Sequence, residues 1–183
     1  MTGTIVLVRH TEVALSWKGR CYGISDVPLS RAGKTAATRL SIELAARRPA
    51  WVMHSGLVRA RLLAEQIAAR AGSSLQEGRD WRERDFGTWE GLSWTSVYRA
   101  SGNAMDGMID APGVFRPGGG ETTNELADRV AAAWERLPAG DGIVVTHGGP
   151  IAAILGRRSG KPVVDWLALA PPYGGYNVVP RRT

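Results

Sequence analysis

The sequence predicts an α/β fold, a three-layer α/β/α sandwich with a mostly parallel central sheet, in a single domain over residues 1–183. Two observations predict it. Apolar runs of strand length occur at residues 4–8, 51–54 and 142–146, and strands buried on both faces of a parallel sheet have this pattern. Segments with apolar residues at helical spacing separate these runs, and strands that alternate with helices are typical of parallel sheets.

Helices are predicted to connect the strands. Ser30 is a suitable N-cap for the first helix, and Gly72 ends the second. The helices are expected over residues 32–47, 57–71, 92–101 and 123–137, with a further helix around Pro150. Residues 13–30 are expected to form a loop, and residues 102–120 an irregular lid or insert. The segment between them at residues 73–90 is polar. The tail, residues 164–179, is expected to add a helical turn and one or two strands.

The composition is typical of a soluble globular protein, with 44% hydrophobic and 22% charged residues. No apolar stretch reaches the roughly 20 residues of a membrane span and no signal peptide is evident, so we expect a cytoplasmic location and no membrane partner. The single cysteine, Cys21, excludes an internal disulfide.

The net charge of +6 suits an anionic partner, but the basic residues are scattered and no nucleic-acid partner is expected. The oligomeric state is not predicted, and a homodimer stays open.

Side chains suited to phosphate chemistry follow the predicted strands. Arg9 and His10 end the first strand, and His147 ends the third, ahead of Gly148. Ligands of open α/β sheets bind beyond the carboxyl ends of the strands. A guanidinium offers a fork of donors to phosphate oxygens, a neutral imidazole is a nucleophile, and the amides of a helix N-terminus attract anions. Arg59, after the second strand, is a candidate second phosphate ligand. The pattern therefore predicts phosphoryl transfer through a histidine nucleophile.

Several blocks of the sequence together resemble a known family, and they occur in its order. Leu-Val-Arg-His at residues 7–10 and Val-Thr-His-Gly at 145–148 resemble the two histidine motifs of the histidine phosphatase superfamily, the phosphoglycerate mutase-like clan. Glu-Arg-Asp-Phe-Gly at 83–87 is similar to its acid-bearing segment. Further similar blocks lie at residues 23–33, 55–60 and 117–122. The resemblance implies a phosphoglycerate mutase-like fold.

The resemblance also implies a role for the polar residues of these blocks. It makes His10 the nucleophile that becomes phosphohistidine. It makes Glu83 the proton donor to the leaving oxygen and later the base that activates water. The other implied catalytic residues are Arg9, Arg59 and His147, which hold the phosphoryl oxygens. The implied phosphate-binding residues are Arg9, Arg59, His147, Gly148, Ser25 and Thr11. No cofactor and no metal are implied.

The sequence departs from the family's pattern at two positions. Thr11 stands where the family usually has a glycine, whose carbonyl orients the nucleophilic imidazole. Ser16 stands where an asparagine is common, and Ser25 or a backbone amide is expected to replace that contact. Arg-His-Thr at residues 9–11, followed by Cys-Tyr-Gly at 21–23, most resembles members assigned as α-ribazole phosphatases of cobalamin nucleotide-loop assembly.

The expected function is hydrolysis of a small anionic phosphomonoester through phosphohistidine, with α-ribazole 5′-phosphate as a candidate substrate. A mutase-type phosphotransferase and a non-catalytic phosphate-binding regulatory module of the same fold are the alternatives. A cysteine phosphatase is excluded because Val27, and not an arginine, lies six residues after Cys21. No histidine spacing resembles a metal signature, and His54 is expected to end its strand as a packed or solvated side chain. The candidates for stacking on a leaving group, or for packing under a lid, are Trp17, Tyr22, Trp94 and Tyr98.

Overall fold

The computed structural model describes residues 3–181, and a five-stranded sheet forms its centre. The strands are β1 (Gly3–Arg9), β2 (Trp51–His54), β3 (Ser74–Glu77), β4 (Gly142–Thr146) and β5 (Tyr176–Arg181). Their order across the sheet is β3-β2-β4-β1-β5, with all neighbouring pairs parallel except β1 with β5. Residues 1–2 and 182–183, the ends of the predicted domain, lie outside the described residues.

Six α-helices occur among the described residues. They are α1 (Arg31–Ala45), α2 (Val58–Ala71), α3 (Trp94–Ser101), α4 (Gly107–Asp110), α5 (Thr123–Glu135) and α6 (Gly148–Ser159). The Ser30 hydroxyl caps α1 by accepting from the Gly33 N–H at 2.8 Å, as expected. A capping box between Thr122 and Glu125 starts α5. Within residues 3–181, no helix is both long and apolar enough to cross a membrane.

Helices cover both faces of the sheet because side chains alternate along each strand. Ile5 and Leu7 of β1 point to one face and pack in a cluster with residues of α5 and α6. Val6 and Val8 point to the other face and pack with residues of α1 and α2. Both faces of the central strands are therefore buried, which confirms the predicted α/β fold with a mostly parallel sheet.

The structure differs from the predictions in β3, in some helix ends and in the tail. Residues 73–90 are polar and no strand is predicted there, but β3 pairs in parallel with β2. All four residues of β3 are exposed at the sheet edge, so they lack the apolar pattern that marks a buried strand. Helices α1 and α5 each end two residues before the predicted position. The tail forms two 3-10 turns, Val163–Asp165 and Leu167–Leu169, and the single strand β5.

The carboxyl ends of β1, β2 and β4 meet at one edge of the sheet. Arg9 of β1 pairs with Thr146 of β4, so the next residue of each strand lies at the same level. Those next residues are His10 and His147. The strand pairing thereby brings together the two histidines that the sequence places at strand ends.

Candidate active site

His10 follows β1, and its imidazole is held in one tautomer. Its side chain is 3% exposed. Nδ1 lies 2.8 Å from the Thr11 carbonyl oxygen, and because a carbonyl can only accept, Nδ1 carries the proton. Nε2 therefore keeps a free lone pair. Burial, followed by the charge of Arg59, lowers the pKa of His10 well below its ordinary value, so the ring is neutral at neutral pH.

His147 lies beside His10, with the two ring centroids 5.1 Å apart. It is fully buried, and both of its ring nitrogens have protein partners. Arg59 Nε donates to Nδ1 at 3.3 Å, so Nε2 carries the proton and donates to the Ser55 hydroxyl at 2.8 Å. Burial, and then the charge of Arg59, lowers the pKa of His147 well below its ordinary value. A phosphoryl contact from His147, as the resemblance implies, would replace one of these two hydrogen bonds.

Arg59 lies in the first turn of α2 and is completely buried. Besides the bond to His147, its Nη1 donates to the Ser25 carbonyl and its Nη2 to the Gly23 carbonyl, each at 2.6 Å. Three of its five N–H groups are thus fixed by the protein, and two remain for a ligand. The guanidinium lines the cavity described below. A rigid cation therefore lies close to both histidines.

Glu90 holds the loop that carries those two carbonyl groups. Its carboxylate accepts from the backbone N–H groups of Gly23, Ile24 and Ser25 at 2.9–3.1 Å, and from the Ser25 hydroxyl. It also accepts from the Phe86 N–H at 3.2 Å. From the sequence, Glu90 is only a rival of Glu83 for the role of the acid. It follows the acid-bearing segment at residues 83–87, and nothing in that segment identifies the loop that Glu90 contacts.

Arg9 is held by the C-terminal segment of the chain. Its Nη1 donates to the Pro171 carbonyl at 3.0 Å, and its guanidinium carbon lies 4.3 Å from the centre of the Tyr173 ring. Its backbone N–H donates to the Gly175 carbonyl at 3.0 Å. The Arg9 Nε–H is buried and has no hydrogen-bond partner among the described residues. An unpaired buried donor is costly, so this group is suited to bind an incoming anion.

Glu83 lines the same cavity and lies against the start of α6. One carboxylate oxygen accepts from the Arg84 N–H at 2.9 Å, and the other accepts from the Gly149 N–H at 3.1 Å. A Cβ atom at position 149 would stand 2.1 Å from Glu83 Oε1, so only glycine leaves room for this carboxylate. Gly148 also lines the cavity, with Arg9 next to it. The helix N-terminus thus places a carboxylate and backbone amides near His10.

Thr11, Ser25 and His147 are predicted to bind phosphate, but none of the three is among the residues that line the cavity. The Thr11 hydroxyl donates to the Gly33 carbonyl at 2.8 Å, and the Ser25 hydroxyl donates to Glu90. Both residues instead act through their carbonyl groups, Thr11 on His10 and Ser25 on Arg59. Ser16 is exposed, and its carbonyl accepts from Arg20 at 3.0 Å. The hydroxyl groups of Thr11 and Ser25 therefore stabilise the loops around the cavity.

A cavity of about 490 Å³ opens in front of His10. Arg9, Arg59 and Glu83 line it near the histidine, as do Tyr22 and Tyr173, whose rings lie on the two arginines. The rest of the lining contains Arg20, Arg84 and Asp106 but is mostly aromatic and aliphatic, and it includes Phe86, Trp94, Met105, Met108, Ile109, Trp166 and Leu167. The predicted insert contributes the methionines and Ile109, so it does form one wall of the site. The cavity thus has a cationic floor and a mainly apolar mouth.

Of the remaining candidate residues, some line the cavity and others lie outside it. His54 is buried and accepts from the Gly56 N–H at 3.0 Å through Nδ1. Cys21 is also buried, and burial raises its pKa to about 12, so it is not a reactive thiol at neutral pH. Trp94 and Tyr22 line the cavity, but Trp17 and Tyr98 do not. In residues 3–181, no group of three or more His, Cys, Asp or Glu side chains is placed to hold a metal ion.

Comparison with known proteins agrees with this arrangement. The chain matches the histidine phosphatase superfamily (branch 1) over residues 5–182. It is 34% identical over 162 residues to phosphoglycerate mutase-like protein 4 of Arabidopsis thaliana, covering 84% of this chain and 70% of that protein. It is 34% identical over 157 residues to a metal-independent phosphoserine phosphatase of Arabidopsis thaliana, covering 82% of this chain and 66% of that protein.

Solved structures agree as well. A mycobacterial glucosyl-3-phosphoglycerate phosphatase has a TM-score of 0.85 with this chain at 25% identity, covering 98% of this chain and 91% of that one. These matches confirm the expected phosphoglycerate mutase-like fold and the expected enzyme class, a phosphatase. The chain belongs to the histidine phosphatase superfamily.

Proposed function

We propose that this protein is a cytoplasmic phosphomonoesterase that acts through a phosphohistidine at His10, without a metal or cofactor. The hydrogen bond from His10 Nδ1 to the Thr11 carbonyl carries the proposal, because it leaves Nε2 unprotonated in a residue that lines the cavity. Burial and the neighbouring guanidinium groups lower the pKa of His10, so the nucleophile needs no separate base.

In the first step, His10 Nε2 attacks the phosphorus atom of the ester. The N–P bond forms while the P–O bond to the leaving group breaks, and protonated Glu83 gives its proton to the leaving oxygen. Arg9 and Arg59 offset the negative charge on the phosphoryl oxygens, and phosphoryl transfer depends mainly on such positioning and electrostatic stabilisation. The unpaired Nε–H of Arg9 supplies one donor for this purpose.

In the second step, water attacks the phosphorus atom of phosphohistidine. Glu83, now a carboxylate, takes a proton from the water while the N–P bond breaks. Inorganic phosphate leaves, and both His10 and protonated Glu83 return to their starting states. The backbone N–H groups of Arg84 and Gly149 hold the Glu83 carboxylate in place for both proton transfers.

Hydrolysis is proposed in preference to the two alternatives. A phosphate-binding module would need neither a neutral imidazole with a free Nε2 nor a carboxylate that lines the same cavity. The names of two matched relatives, phosphoserine phosphatase and glucosyl-3-phosphoglycerate phosphatase, also support a hydrolase. A mutase would return the phosphoryl group to a second hydroxyl of the same substrate, and product analysis distinguishes this outcome.

The mouth of the cavity suggests the class of leaving group. Phe86 and Trp94 lie edge to face, with ring centroids 5.7 Å apart, and Trp166 and Tyr22 line the same cavity. Aromatic walls favour an apolar or planar leaving group. We therefore propose a phosphomonoester with such a group, and α-ribazole 5′-phosphate has the required chemistry. Phosphoserine and glucosyl-3-phosphoglycerate are included in the test because relatives act on them.

The test is phosphate release in excess chelator from a panel of esters: α-ribazole 5′-phosphate, phosphoserine, 3-phosphoglycerate, glucosyl-3-phosphoglycerate, nucleotides and p-nitrophenyl phosphate. His10→Ala is expected to abolish release and to keep the wild-type melting temperature. His54→Asn is the control, since His54 is buried outside the cavity. Turnover by His10→Ala at the wild-type rate would refute the proposal. Activity that is lost in chelator and restored by zinc would indicate a metal mechanism instead.

A further inference from the structure

Two tyrosines from distant parts of the chain meet over the cationic floor of the cavity. Tyr22 lies in the loop after β1, and Tyr173 lies 151 positions later in the C-terminal segment. Their hydroxyl groups are hydrogen-bonded to each other, and both side chains line the cavity. The pair therefore spans the cavity next to His10, whose ring centroid is 5.4 Å from that of Tyr173.

Each tyrosine ring lies on one of the two arginines that line the floor. The guanidinium carbon of Arg9 is 4.3 Å from the centre of the Tyr173 ring, and that of Arg59 is 5.5 Å from the centre of the Tyr22 ring. Both distances fall within the range of a cation–π contact. The hydroxyl bridge thus links two ring–guanidinium pairs into a single unit.

Both ends of this unit are anchored in the protein. Gly174 donates through its N–H to the His10 carbonyl at 3.1 Å, and Arg9 donates to the Pro171 and Gly175 carbonyls at 3.0 Å. These bonds hold the Tyr173 loop against the Arg9-His10 pair. At the other end, the backbone N–H groups of residues 23–25, which follow Tyr22, donate to the carboxylate of Glu90. The hydrogen bond between the two hydroxyl groups links these ends across the cavity, and it can be removed without removing either ring.

We propose that Tyr22 and Tyr173 are positioning residues, and that their hydroxyl bridge holds the guanidinium groups of Arg9 and Arg59 in the arrangement that binds a tetrahedral oxyanion. This inference rests on the proposed phosphatase function for its kinetic consequences, but not for its effect on phosphate binding. Preset donors bind an anion more tightly because less side-chain freedom is lost on binding. Burial raises the pKa of Tyr22, so its hydroxyl stays protonated and able to donate at neutral pH.

The test uses Tyr22→Phe, Tyr173→Phe and the double variant, with binding of inorganic phosphate measured by calorimetry. Each single variant is expected to weaken phosphate binding by about two- to tenfold, the range for one net hydrogen bond. The KM for p-nitrophenyl phosphate should rise by a similar factor with a smaller change in kcat. The double variant should match the single variants, because all three lose the same bond.

Tyr176→Phe is the matched control. Tyr176 also lies on an arginine, with Arg47 at 5.2 Å from its ring centre, and its hydroxyl donates to Glu43 at 2.6 Å. It does not line the cavity, so its loss should leave phosphate binding and KM unchanged. A general effect of removing a tyrosine hydroxyl would appear equally in this control.

Three results would overturn the inference. Unchanged phosphate affinity in Tyr22→Phe and Tyr173→Phe, with or without a lower melting temperature, would make the bridge merely structural. Losses that multiply in the double variant would show that each hydroxyl acts alone. An equal loss of phosphate affinity in Tyr176→Phe would show that the effect does not depend on a tyrosine in the cavity. If one single variant does not fold, the other supplies the same comparison because it breaks the same bond from its opposite end.

The inference and the proposed function fail separately. If the wild type and His10→Ala release phosphate equally, the proposed function is wrong, and the calorimetry still tests the bridge. If the wild type turns over and His10→Ala does not, while the tyrosine variants bind phosphate like the wild type, only the bridge is wrong.

Discussion

Replacing Gly149 with alanine tests the role of Glu83 without removing its carboxylate. The new Cβ would stand 2.1 Å from Glu83 Oε1, whereas ordinary contact begins at 3.4 Å. The carboxylate must therefore move and loses its 3.1 Å bond from the Gly149 N–H. Because a displacement of about 1 Å at a reacting group costs about a hundredfold in rate, we expect kcat to fall by about that factor.

The fold should survive this substitution. The clashing atom is the end of a flexible side chain, and Leu126 Cδ2, the nearest atom of any other residue, would be 3.3 Å from the new Cβ. Alanine is a better helix former than glycine by up to about 1 kcal/mol, which offsets the cost of moving Glu83. The melting temperature of Gly149→Ala should therefore equal or exceed that of the wild type.

The assay compares two esters that differ in how much they need a proton donor. Glycerol phosphate has a poor leaving group and should show the full loss, whereas p-nitrophenyl phosphate has a good one and should show a much smaller loss. Ser159→Ala, in the last turn of the same helix, is the control and should behave like the wild type on both. An equal loss of kcat on the two esters, or no loss on either, would refute the role of Glu83 as proton donor.

Three further predictions follow from the two buried histidines and from Glu90. Burial and the charge of Arg59 lower the pKa of His10, so the nucleophile stays neutral and kcat/KM should not fall between pH 7.5 and about pH 6. A decrease of kcat/KM centred near the ordinary histidine pKa of about 6.5 would contradict this. Because the pKa values of His10 and His147 are lowered in the folded state, the unfolded state binds more protons than the folded state below about pH 6.5. The free energy of unfolding should therefore decrease by about 1.4 kcal/mol for each of the two histidines from pH 7.5 to 5.5, and equal stability in chemical denaturation at the two pH values would count against it. Glu90→Gln places an amide N–H group against the backbone donors of Gly23 and Ser25, so it should destabilise the fold by about 1–3 kcal/mol. It should also raise KM, because the carbonyl groups of this loop hold Arg59. An unchanged KM would show that the loop does not position this arginine.

The strands and their terminal histidines could be predicted from the sequence because the information is local. The apolar runs before Arg9 and before His147 mark buried strands, and a parallel sheet brings their ends to one edge. The polar edge strand Ser74–Glu77 could not be predicted in this way, since no apolar face marks it and only its pairing with β2 defines it.

The parts of the site that the sequence did not predict are all contacts between distant segments. Ser55 lies just before the predicted helix at residues 57–71, yet its hydroxyl bonds to His147, 92 positions away. Tyr173 follows two prolines and precedes two glycines, which indicates a tight loop but does not indicate that the loop lies on Arg9. The substitution of threonine at position 11 is accommodated because only its carbonyl is needed, while its hydroxyl bonds to Gly33.

The most direct test of the account is to trap the phosphoryl group on the enzyme. The wild type would be mixed with p-nitrophenyl phosphate, quenched in alkali within milliseconds, and digested for peptide mass spectrometry, because phosphohistidine survives alkali. The account predicts one phosphoryl group per chain on the peptide that contains His10, and none in His10→Ala. Steady turnover with no phosphorylated His10 peptide at any quench time, while added phosphohistidine peptide is recovered intact, would contradict the phosphohistidine mechanism.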